Sequence, residues 1–374
     1  MTMWIIILWS VMAYWAAAML YLGFRLPNLF SFAFIENLSK AQQTLFGLVI
    51  VVGLMGITTL FIDFINAIVC VVYLAMIWAV SDFLFWVMEK FFHITFAHYY
   101  AGWTALILSV MALTYGWYLN HNVWKTDYQL TTSKDMNDLR IVMFADAHIG
   151  TTFNGKDFAK HISAMQAENP DIVLIIGDYV DDETTKENMI EATKNLGKLK
   201  TKYGTYFVFG NHDKGYYGPE HRGFTAGDLI KELTDNGITV LRDESVLIDN
   251  SFYIIGRRDY SEEKEHKGKR QSIKELTKDL NKSKYMIVLD HQPTEYDKES
   301  EAKVDLVLSG HTHGGQLFPF NQVGKWIKAN ERIYGYEKRQ ETDFIVTSGI
   351  SSWAIKFKTG TKSEFVIINL KKKH

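Results

Sequence analysis

Five short clusters of carboxylate, amide and imidazole side chains follow one another along the second half of the sequence. They are Asp146-Ala147-His148, Gly177-Asp178-Tyr179-Val180-Asp181, Gly210-Asn211-His212-Asp213, Asp290-His291 and Gly310-His311-Thr312-His313. Each cluster comes after an apolar run that is typical of a β-strand, so the side chains are expected to meet at one edge of a sheet. Oxygen and imidazole ligands in this number suit two divalent cations that share a carboxylate. The pattern therefore predicts a two-metal site suited to hydrolysis.

The segments that would position these clusters alternate between strand and helix patterns from about Leu139 onward. Apolar runs such as Leu139–Phe144 and Asp171–Ile176 predict strands, whereas Glu187–Leu199 has helical spacing. The longer run Ile238–Ile248 predicts a further strand, antiparallel to the one that follows it. Because these runs are apolar throughout, the strands are expected to be buried on both faces. This predicts an α/β fold of stacked sheets covered by helices.

The sequence before Trp124 has a different character, because charged residues are sparse there and dense afterwards. A bilayer core of about 30 Å requires about 20 apolar helical residues to cross it. Four such spans are predicted, at about Met3–Gly23, Thr44–Ile62, Ile65–Met88 and Ala101–Leu119, with the middle two joined by a turn around Asp63 and Asn66. We therefore expect a four-helix transmembrane anchor at 1–123, a linker at 124–138 and a catalytic domain at 139–374.

Basic residues in the short loops predict the orientation of the anchor. Arg25 and Lys40 flank the first connection and Lys90 lies in the third, so these loops are expected to face the cytoplasm. With an even number of spans, the catalytic domain would then lie outside the cytoplasm. The expected protein is a multi-pass integral protein of the cell membrane.

Overall charge and cysteine content exclude two classes of protein. The formal net charge is −2, and no patch interleaves basic residues with aromatic ones, so no nucleic-acid partner is expected. The chain contains one cysteine, Cys70, so it cannot form an intrachain disulfide.

The complete series of clusters resembles the calcineurin-like metallophosphoesterase superfamily, whose motifs run DxH, GDxxD, GNHD or GNHE, an isolated His, and GHxH. The resemblance implies a two-sheet β-sandwich flanked by helices and a water shared between the metals as nucleophile. It implies one cation held by Asp146, His148, Asp178 and His313, and another held by Asp178, Asn211, His291 and His311. Asp178 would bridge the two. Manganese, iron, zinc and magnesium all accept such ligands, so the identity of the cations stays open.

His212 is left over once the ligands are assigned. The resemblance implies that it faces the substrate and protonates the leaving group. A carboxylate should orient such a histidine; Asp181 is the first candidate and Asp213 the second. Alternatively, Asp181 only braces its own loop.

The extended run Gly310–Gln316 is similar to an exported or membrane-associated branch of the superfamily, the YkuE- and YaeI-like phosphoesterases, and that branch in turn to lipid-processing pyrophosphohydrolases. Many such relatives have an arginine near the carboxyl terminus where this chain has Lys356, which keeps the charge but loses the bidentate fork. Arg257 and Arg258 are candidates for binding a second phosphate or an acidic head group, with surface ion pairing as the alternative.

The segment Leu317–Ile327 is apolar and aromatic, and two lysines lie near its end. Such a composition is typical of a membrane interface. Leu317, Phe318 and Phe320 are therefore candidates for contact with the bilayer, next to the metal site. Ordinary packing against the catalytic core is the alternative.

These observations together predict a membrane-anchored, two-metal phosphohydrolase. It would cleave a phosphoester or pyrophosphate bond, with an amphiphilic or lipid-linked substrate as the narrower hypothesis. One alternative is a catalytically silent membrane sensor that retains the metal site. A transporter is another, but Asp63, Asp82 and Glu89 are expected near the ends of spans, which favours an anchor.

Overall fold

The chain folds into two units, residues Met1–Trp117 and Tyr118–His374, each of which is described by itself. The computed structural model describes residues 2–30, 32–264 and 269–373. The side chains of residues 2–4, 6–8, 33, 263 and 264 also lie outside this description.

The α-helices in the described residues fall into a long set and a short set. The long ones, which precede residue 122, are α1 (Thr2–Arg25), α3 (Lys40–Phe61), α4 (Phe64–Phe92) and α5 (Tyr100–His121), with the short α2 (Ala33–Glu36) between the first two. The later helices are α6 (Phe158–Ala167), α7 (Lys186–Leu196), α8 (Pro219–Arg222), α9 (Ala226–Asp235), α10 (Ser261–Lys264), α11 (Ile273–Thr277), α12 (Tyr296–Glu301) and α13 (Val323–Trp326).

Three helices of the described chain, α3, α4 and α5, are long and apolar enough to cross a membrane. They coincide with the second, third and fourth predicted spans. The first predicted span, Met3–Gly23, overlaps α1, but several of its side chains lie outside the described residues. The turn between α3 and α4 lies where it is predicted, because the Asp63 carboxylate caps α4 by accepting a hydrogen bond from the backbone N–H of Asn66 (2.8 Å).

Asp82 was expected near the end of a span but lies well inside α4. Its carboxylate accepts hydrogen bonds from the hydroxyls of Tyr21 (2.5 Å) and Tyr99 (2.6 Å), and Arg25 Nε lies 2.6 Å from Asp82 Oδ2. Each carboxylate oxygen therefore has a partner, as a charge inside an apolar bundle requires. The contacts tie α1 and the segment before α5 to α4, which is a structural role and agrees with an anchor.

The second unit is built on two six-stranded sheets. Its strands are β1 (Val123–Thr132), β2 (Leu139–Phe144), β3 (Ile172–Ile176), β4 (Thr205–Val208), β5 (Ile238–Val240), β6 (Glu244–Ile248), β7 (Phe252–Gly256), β8 (Tyr285–Leu289), β9 (Leu306–Ser309), β10 (Gly335–Arg339), β11 (Thr342–Val346) and β12 (Ser363–Lys372). The first sheet has the order β1-β12-β2-β3-β4-β5 and the second has the order β10-β11-β9-β8-β7-β6. The central strands β2 to β5 are parallel to one another, as are β7, β8, β9 and β11.

Alternate residues of the central strands pack on opposite faces of their sheet. In β2, Ile141 and Met143 join the core between the two sheets, whereas Val142 and Phe144 pack towards the helices on the outer face. Each such fully buried aliphatic side chain contributes about 1.5 to 3 kcal/mol to folding. A third cluster covers the outer face of the second sheet. The predicted two-sheet sandwich flanked by helices is therefore confirmed.

Two segments differ from their predictions. Residues 124–138, expected to be a linker, contain most of β1, which pairs in parallel with β12 at the edge of the first sheet. Its alternation of exposed polar and partly buried residues is that of an edge strand, and this polarity resembles a linker in the sequence. The single strand predicted at Ile238–Ile248 is two strands, β5 and β6, which belong to different sheets. Asp243, whose φ is 61°, lies in the turn between them.

Candidate metal centre

The five predicted clusters converge, because each lies on the turn that follows the carboxyl end of a strand. The turns after β2, β3 and β4 come from one sheet, and those after β8 and β9 come from the other. Two groups of side chains have ligand atoms within 4.8 Å of one another; they are Asp146, His148 and His313 in the first group, and Asp178, His291 and His311 in the second. Each group contains three of the four residues that the resemblance implies for one cation; Asp178 is absent from the first group and Asn211 from the second.

Asp178 lies between the two groups. Its Oδ2 is 3.1 Å from Nε2 of His291 and 3.8 Å from Nε2 of His148, so a single oxygen faces one imidazole of each group. Its other oxygen, Oδ1, accepts a hydrogen bond from the backbone N–H of His212 (2.8 Å). This is the position expected of a bridging carboxylate.

Oxygen atoms fix the rings of three histidines. Nδ1 of His148 lies 3.1 Å from Asp181 Oδ2, Nδ1 of His291 lies 2.6 Å from a backbone carbonyl oxygen of β3, and Nδ1 of His313 lies 3.4 Å from another backbone carbonyl oxygen. A carbonyl or carboxylate can only accept, so Nδ1 carries the proton and Nε2 is left as the ligand atom. His148 Nε2 is buried and has no hydrogen-bond partner. A buried unpaired nitrogen next to carboxylates is what a cation site requires, so these residues fit a metal.

The amide of Asn211 is also oriented. Its Oδ1 lies 2.8 Å from Nδ1 of His311, and its Nδ2 donates to the hydroxyl of Tyr216 (3.0 Å). The hydroxyl therefore keeps the amide oxygen of Asn211 on the side of the second group, where a hard cation needs it.

Burial and mutual charge set the protonation states of the ligands. Burial lowers the pKa of His311 to about 4 and that of His313 well below its ordinary value, which keeps both rings neutral and able to bind a metal. Burial raises the pKa of Asp146 to about 6. For Asp178, burial acts in the same direction, but the electrostatic and hydrogen-bond interactions with His291 outweigh it and lower the pKa well below the ordinary value. Asp178 is therefore ionised.

The ligand turns hold their side chains in unusual backbone conformations. The φ angles are 55° at Asp146, 51° at Asp178 and 69° at His311, in a region that residues with a Cβ seldom adopt. Such strain is concentrated at functional sites. Gly177 also has a positive φ (75°), and a Cβ on Gly210 would lie 2.2 Å from Asp178 Oδ1. Both glycines are required by the close approach of the two turns.

Neither carboxylate predicted to orient His212 contacts its ring. Asp181 is hydrogen-bonded to the ring of His148 instead. Asp213 accepts four backbone N–H bonds, from Asp178, Tyr179, Val180 and Gly210, at 2.7 to 3.0 Å. Asp213 thus joins the turn after β3 to the turn after β4, and Asp181 positions a metal ligand. Asp181 Oδ1 also accepts the backbone N–H of Glu183 (2.9 Å), as expected if Asp181 braces its own loop.

Replacing Asp181 by asparagine should therefore weaken metal binding more than it weakens folding. The neutral amide accepts from the Nδ1–H of His148 more weakly than the carboxylate and can turn its NH₂ group towards the ring, and loss of such an outer carboxylate reduces affinity by about 10 to 100-fold. Titration calorimetry with manganese or zinc measures this directly. Glu183→Gln is the matched control, because the Glu183 side chain is 78% exposed and should leave affinity unchanged. Unchanged affinity in Asp181→Asn would contradict the role.

His212 lies beside the ligand groups, with its ring among three other rings. The ring centroids are 5.2 Å from His148, 5.2 Å from Tyr216 and 4.9 Å from Trp353. Burial lowers the pKa of His212. The structure thus brings His212 to the metal site, as the sequence predicts, but surrounds it with aromatic rings instead of a carboxylate.

The predicted phosphate-binding arginines are both engaged. Arg257 is 1% exposed and pairs with Asp290 (2.7 Å), Glu295 (2.9 Å) and Glu299 (3.4 Å), so it is not accessible to a substrate. Arg258 is partly exposed, donates its backbone N–H to Asp243, and has its Nε 3.7 Å from an oxygen of the same carboxylate. Arg258 therefore forms a surface ion pair, and Arg257 belongs to a buried ion-pair network.

Lys356 is half-buried, and the fully buried lysine of this segment is Lys358, two residues further on. The Lys358 ammonium donates to the backbone carbonyls of Ser348 (2.6 Å) and Gly349 (3.3 Å). Burial lowers the pKa of Lys358 to about 7, against the attraction of Asp146 and Glu364. Sequence reasoning missed this residue, Tyr216 and Trp353, whose roles arise from packing and not from a motif.

The aromatic side chains of the segment after His313 are exposed. Phe318 is 59% exposed, Phe320 is 43% exposed and Trp326 is 70% exposed, whereas Leu317 is half-buried. These aromatic side chains therefore present apolar surface to solvent.

Comparison with known proteins agrees with this geometry. Residues 139–315 match the family model for the calcineurin-like phosphoesterase domain. An uncharacterized metallophosphoesterase of Campylobacter jejuni is 32% identical over 237 residues, which is 63% of this chain and 60% of the relative. A Danio rerio transmembrane protein with metallophosphoesterase domain is 29% identical over 247 residues, or 64% of this chain and 54% of the relative.

A third relative, an uncharacterized metallophosphoesterase of Bacillus subtilis, is 29% identical over 235 residues, which is 60% of this chain and 81% of the relative. The chain spans about 60% of the length of the Campylobacter relative and about half that of the Danio relative. The domain match begins at β2 and includes all five clusters, so residues 139–315 of this chain are similar to the calcineurin-like phosphoesterase domain.

Proposed function

We propose that this protein is a membrane-anchored phosphohydrolase that uses two divalent cations to cleave a phosphoester or pyrophosphate bond. The observation that carries the proposal is the pair of ligand groups joined by Asp178, whose Oδ2 faces an imidazole of each. The family and the complete set of ligands support it. Manganese, iron, zinc or magnesium would suit the oxygen and imidazole donors.

Cations held by these residues would supply an activated water and neutralise charge on the phosphoryl group. The protein's own contribution is to fix the ligands before substrate arrives. Asp181 holds His148, Tyr216 holds Asn211, and Asp213 holds the two turns together. His212, beside both groups, would donate a proton to the leaving oxygen.

Hydrolysis should be measured with the purified full-length chain in detergent. The panel comprises phosphomonoesters, phosphodiesters, a nucleotide-sugar pyrophosphate and a phospholipid, each before and after removal of metal with a chelator. We expect turnover of at least one class, its loss on chelation and its recovery with added manganese or zinc. Tight metal binding without turnover of any compound would instead support the alternative, a catalytically silent membrane sensor.

The proposed location is the cell membrane, with the catalytic unit outside the cytoplasm. Basic residues in the expected cytoplasmic loops, Arg25, Lys40 and Lys90, support this orientation. A reporter fused after the last residue would read out as cytoplasmic if the orientation were reversed.

The exposed aromatic segment supports a substrate that is carried by the bilayer. Phe318, Phe320 and Trp326 expose apolar surface, and Lys325 and Lys328 supply positive charge that anionic lipid attracts. Such a segment can insert shallowly while the metal site acts on a head group. The substrate would then be an amphiphilic or lipid-linked phosphate.

Replacing Phe318 and Phe320 by glutamate should lower turnover of a phosphate substrate carried in anionic vesicles by about tenfold or more, since burial of each CH₂ is worth about 0.8 kcal/mol. Turnover of a short soluble ester should change less than twofold. Tyr217→Glu is the matched control, because Tyr217 is also exposed (67%) but lies outside this segment. Equal rates of the double variant and the wild type on vesicles would sink the hypothesis.

A further inference from the structure

An aromatic surface adjoins His212 and consists of the rings of Trp353 and Tyr216, whose hydroxyl also accepts a hydrogen bond from Asn211. Tyr216 meets the His212 ring edge to face, with an interplanar angle of 77°, and Trp353 lies against it at an angle of 38°. Both side chains are about half exposed, at 47% and 49%. They therefore border His212 and also face solvent, where a leaving group would depart.

This surface is fixed in position before any substrate binds. The Asp182 carboxylate accepts the backbone N–H groups of Tyr216 and Tyr217 at 3.0 Å. Arg222, which is buried, donates to the backbone carbonyl of Asp213 (3.0 Å) and so holds the other end of the turn. Rigid aromatic rings bind apolar groups at a low entropic cost.

The segment that carries Trp353 is held as firmly. The backbone N–H of Ser351 donates to the carbonyl of Asp146 (3.2 Å), and the hydroxyl of Ser352 donates to the side chain of Asn120 (2.5 Å). Trp353 therefore follows directly on residues tied to a ligand turn. The fixed backbone therefore keeps the Trp353 side chain exposed.

Two charged side chains near these rings already have partners. Lys214, next to the ligand turn, is paired with the buried Glu262, and Asp182 is used to hold the backbone of the Tyr216 turn. Lys356, three residues after Trp353, is half-buried, and Lys358 is fully buried. The faces of aromatic rings are electron-rich and do not stabilise an anion.

We propose that Tyr216 and Trp353 form a leaving-group subsite that takes an apolar group esterified directly to the scissile phosphate. The substrate is then a phosphoester, not a pyrophosphate. This inference rests on the proposed hydrolase function. In the reaction, a water oxygen bonds to phosphorus, the bond from phosphorus to the leaving oxygen breaks, and the leaving oxygen takes a proton and departs as an alcohol or phenol.

The test uses the full-length protein in detergent with soluble monoesters and diesters whose leaving groups are methyl, hexyl or phenyl, together with inorganic pyrophosphate and a nucleotide sugar. For each substrate, kcat/KM is compared between the wild type and Trp353→Ala. Because the variant and the wild type are compared on the same substrate, the intrinsic reactivity of each ester cancels from the ratio of their kcat/KM values. We expect Trp353→Ala to lower kcat/KM by about tenfold for the hexyl and phenyl esters and less than twofold for the methyl ester.

Two further variants control for folding and for general loss of apolar surface. Trp353→Phe should recover most of the lost activity, because it keeps a ring at this position. Trp326→Ala should match the wild type on every soluble substrate, because Trp326 is exposed but lies in the proposed membrane segment. A loss confined to the phenyl ester identifies an aryl leaving group, and a loss on the hexyl ester identifies an alkyl chain; either supports the subsite.

Equal losses on the methyl and hexyl esters would overturn the subsite while leaving the hydrolase function intact. Preferential cleavage of pyrophosphates, abolished by Lys356→Ala and unaffected by Trp353→Ala, would also overturn it. Absence of hydrolysis of every compound by the metal-loaded wild type would remove the proposed function, and the subsite with it.

Discussion

Replacing Asp178 by asparagine should reduce hydrolysis by about a thousandfold or more, which corresponds to a loss of about 4 kcal/mol of transition-state stabilisation. Asp178 faces an imidazole of each ligand group, and its second oxygen accepts the backbone N–H of His212. An asparagine has the same shape but carries no charge and offers a single acceptor. We therefore expect the metal content, measured by atomic emission on the purified protein, to fall together with turnover.

A substitution at His212 separates chemistry from metal binding. His212→Asn should leave the metal content near normal while lowering turnover by about 100-fold or more, the usual contribution of a positioned acid. His212 belongs to neither ligand group. Both variants should therefore lose activity, but only Asp178→Asn should also lose metal. Asp279→Asn is the control for both, since the Asp279 side chain is 84% exposed.

Two outcomes would contradict this division of roles. Wild-type turnover in His212→Asn would remove His212 from the mechanism. Full metal occupancy with wild-type turnover in Asp178→Asn would mean that the two groups act without a shared carboxylate, and the two-metal proposal would lose its central observation.

The strands and ligand turns could be predicted from the sequence because local information specifies them. β2 has the predicted bounds. The apolar run marks the buried strand, and the polar turn after it marks where the strand ends. The carboxyl ends of parallel strands meet at one edge, so placing Asp146, Asp178 and Asn211 after such strands was enough to bring them together.

What could not be predicted depends on how rings and charges pack between distant segments. Along the chain Asp181 is about as far from His212 as from His148, so its spacing could not identify its partner, which is the ring of His148. Trp353 and Tyr216 reach His212 from separate turns, and no motif spacing relates them. The split between β5 and β6 is also a tertiary effect, because each half pairs with a different sheet.

Arg257 shows the same limit most clearly and leads to the largest expected effect on stability. In the sequence it is an arginine after a strand, suited to binding a phosphate. In the structure it is 1% exposed, and its guanidinium contacts Asp290, Glu295 and Glu299, which come from a later segment. Arg270 also pairs with Asp290. Asp290, which both arginines contact, immediately precedes the candidate ligand His291 in the chain.

Arg257→Ala should therefore destabilise the second unit by about 3 to 5 kcal/mol, because removing one member of a buried pair leaves uncompensated charge. For a unit of this size, the midpoint of thermal unfolding should fall by about 10 °C. Differential scanning fluorimetry of the full-length protein, with tryptophan emission as the readout, measures the shift.

The neighbouring arginine supplies the control and decides between the two roles. Arg258→Ala should shift the midpoint by about 4 °C or less, because partly exposed ion pairs contribute about 1 kcal/mol at most. If Arg257 bound substrate phosphate instead, Arg257→Ala would unfold at the wild-type midpoint and show a raised KM. The buried network instead requires that the midpoint falls while KM, measured at temperatures where the variant is folded, stays unchanged. A residue without access to substrate can affect turnover only by supporting His291.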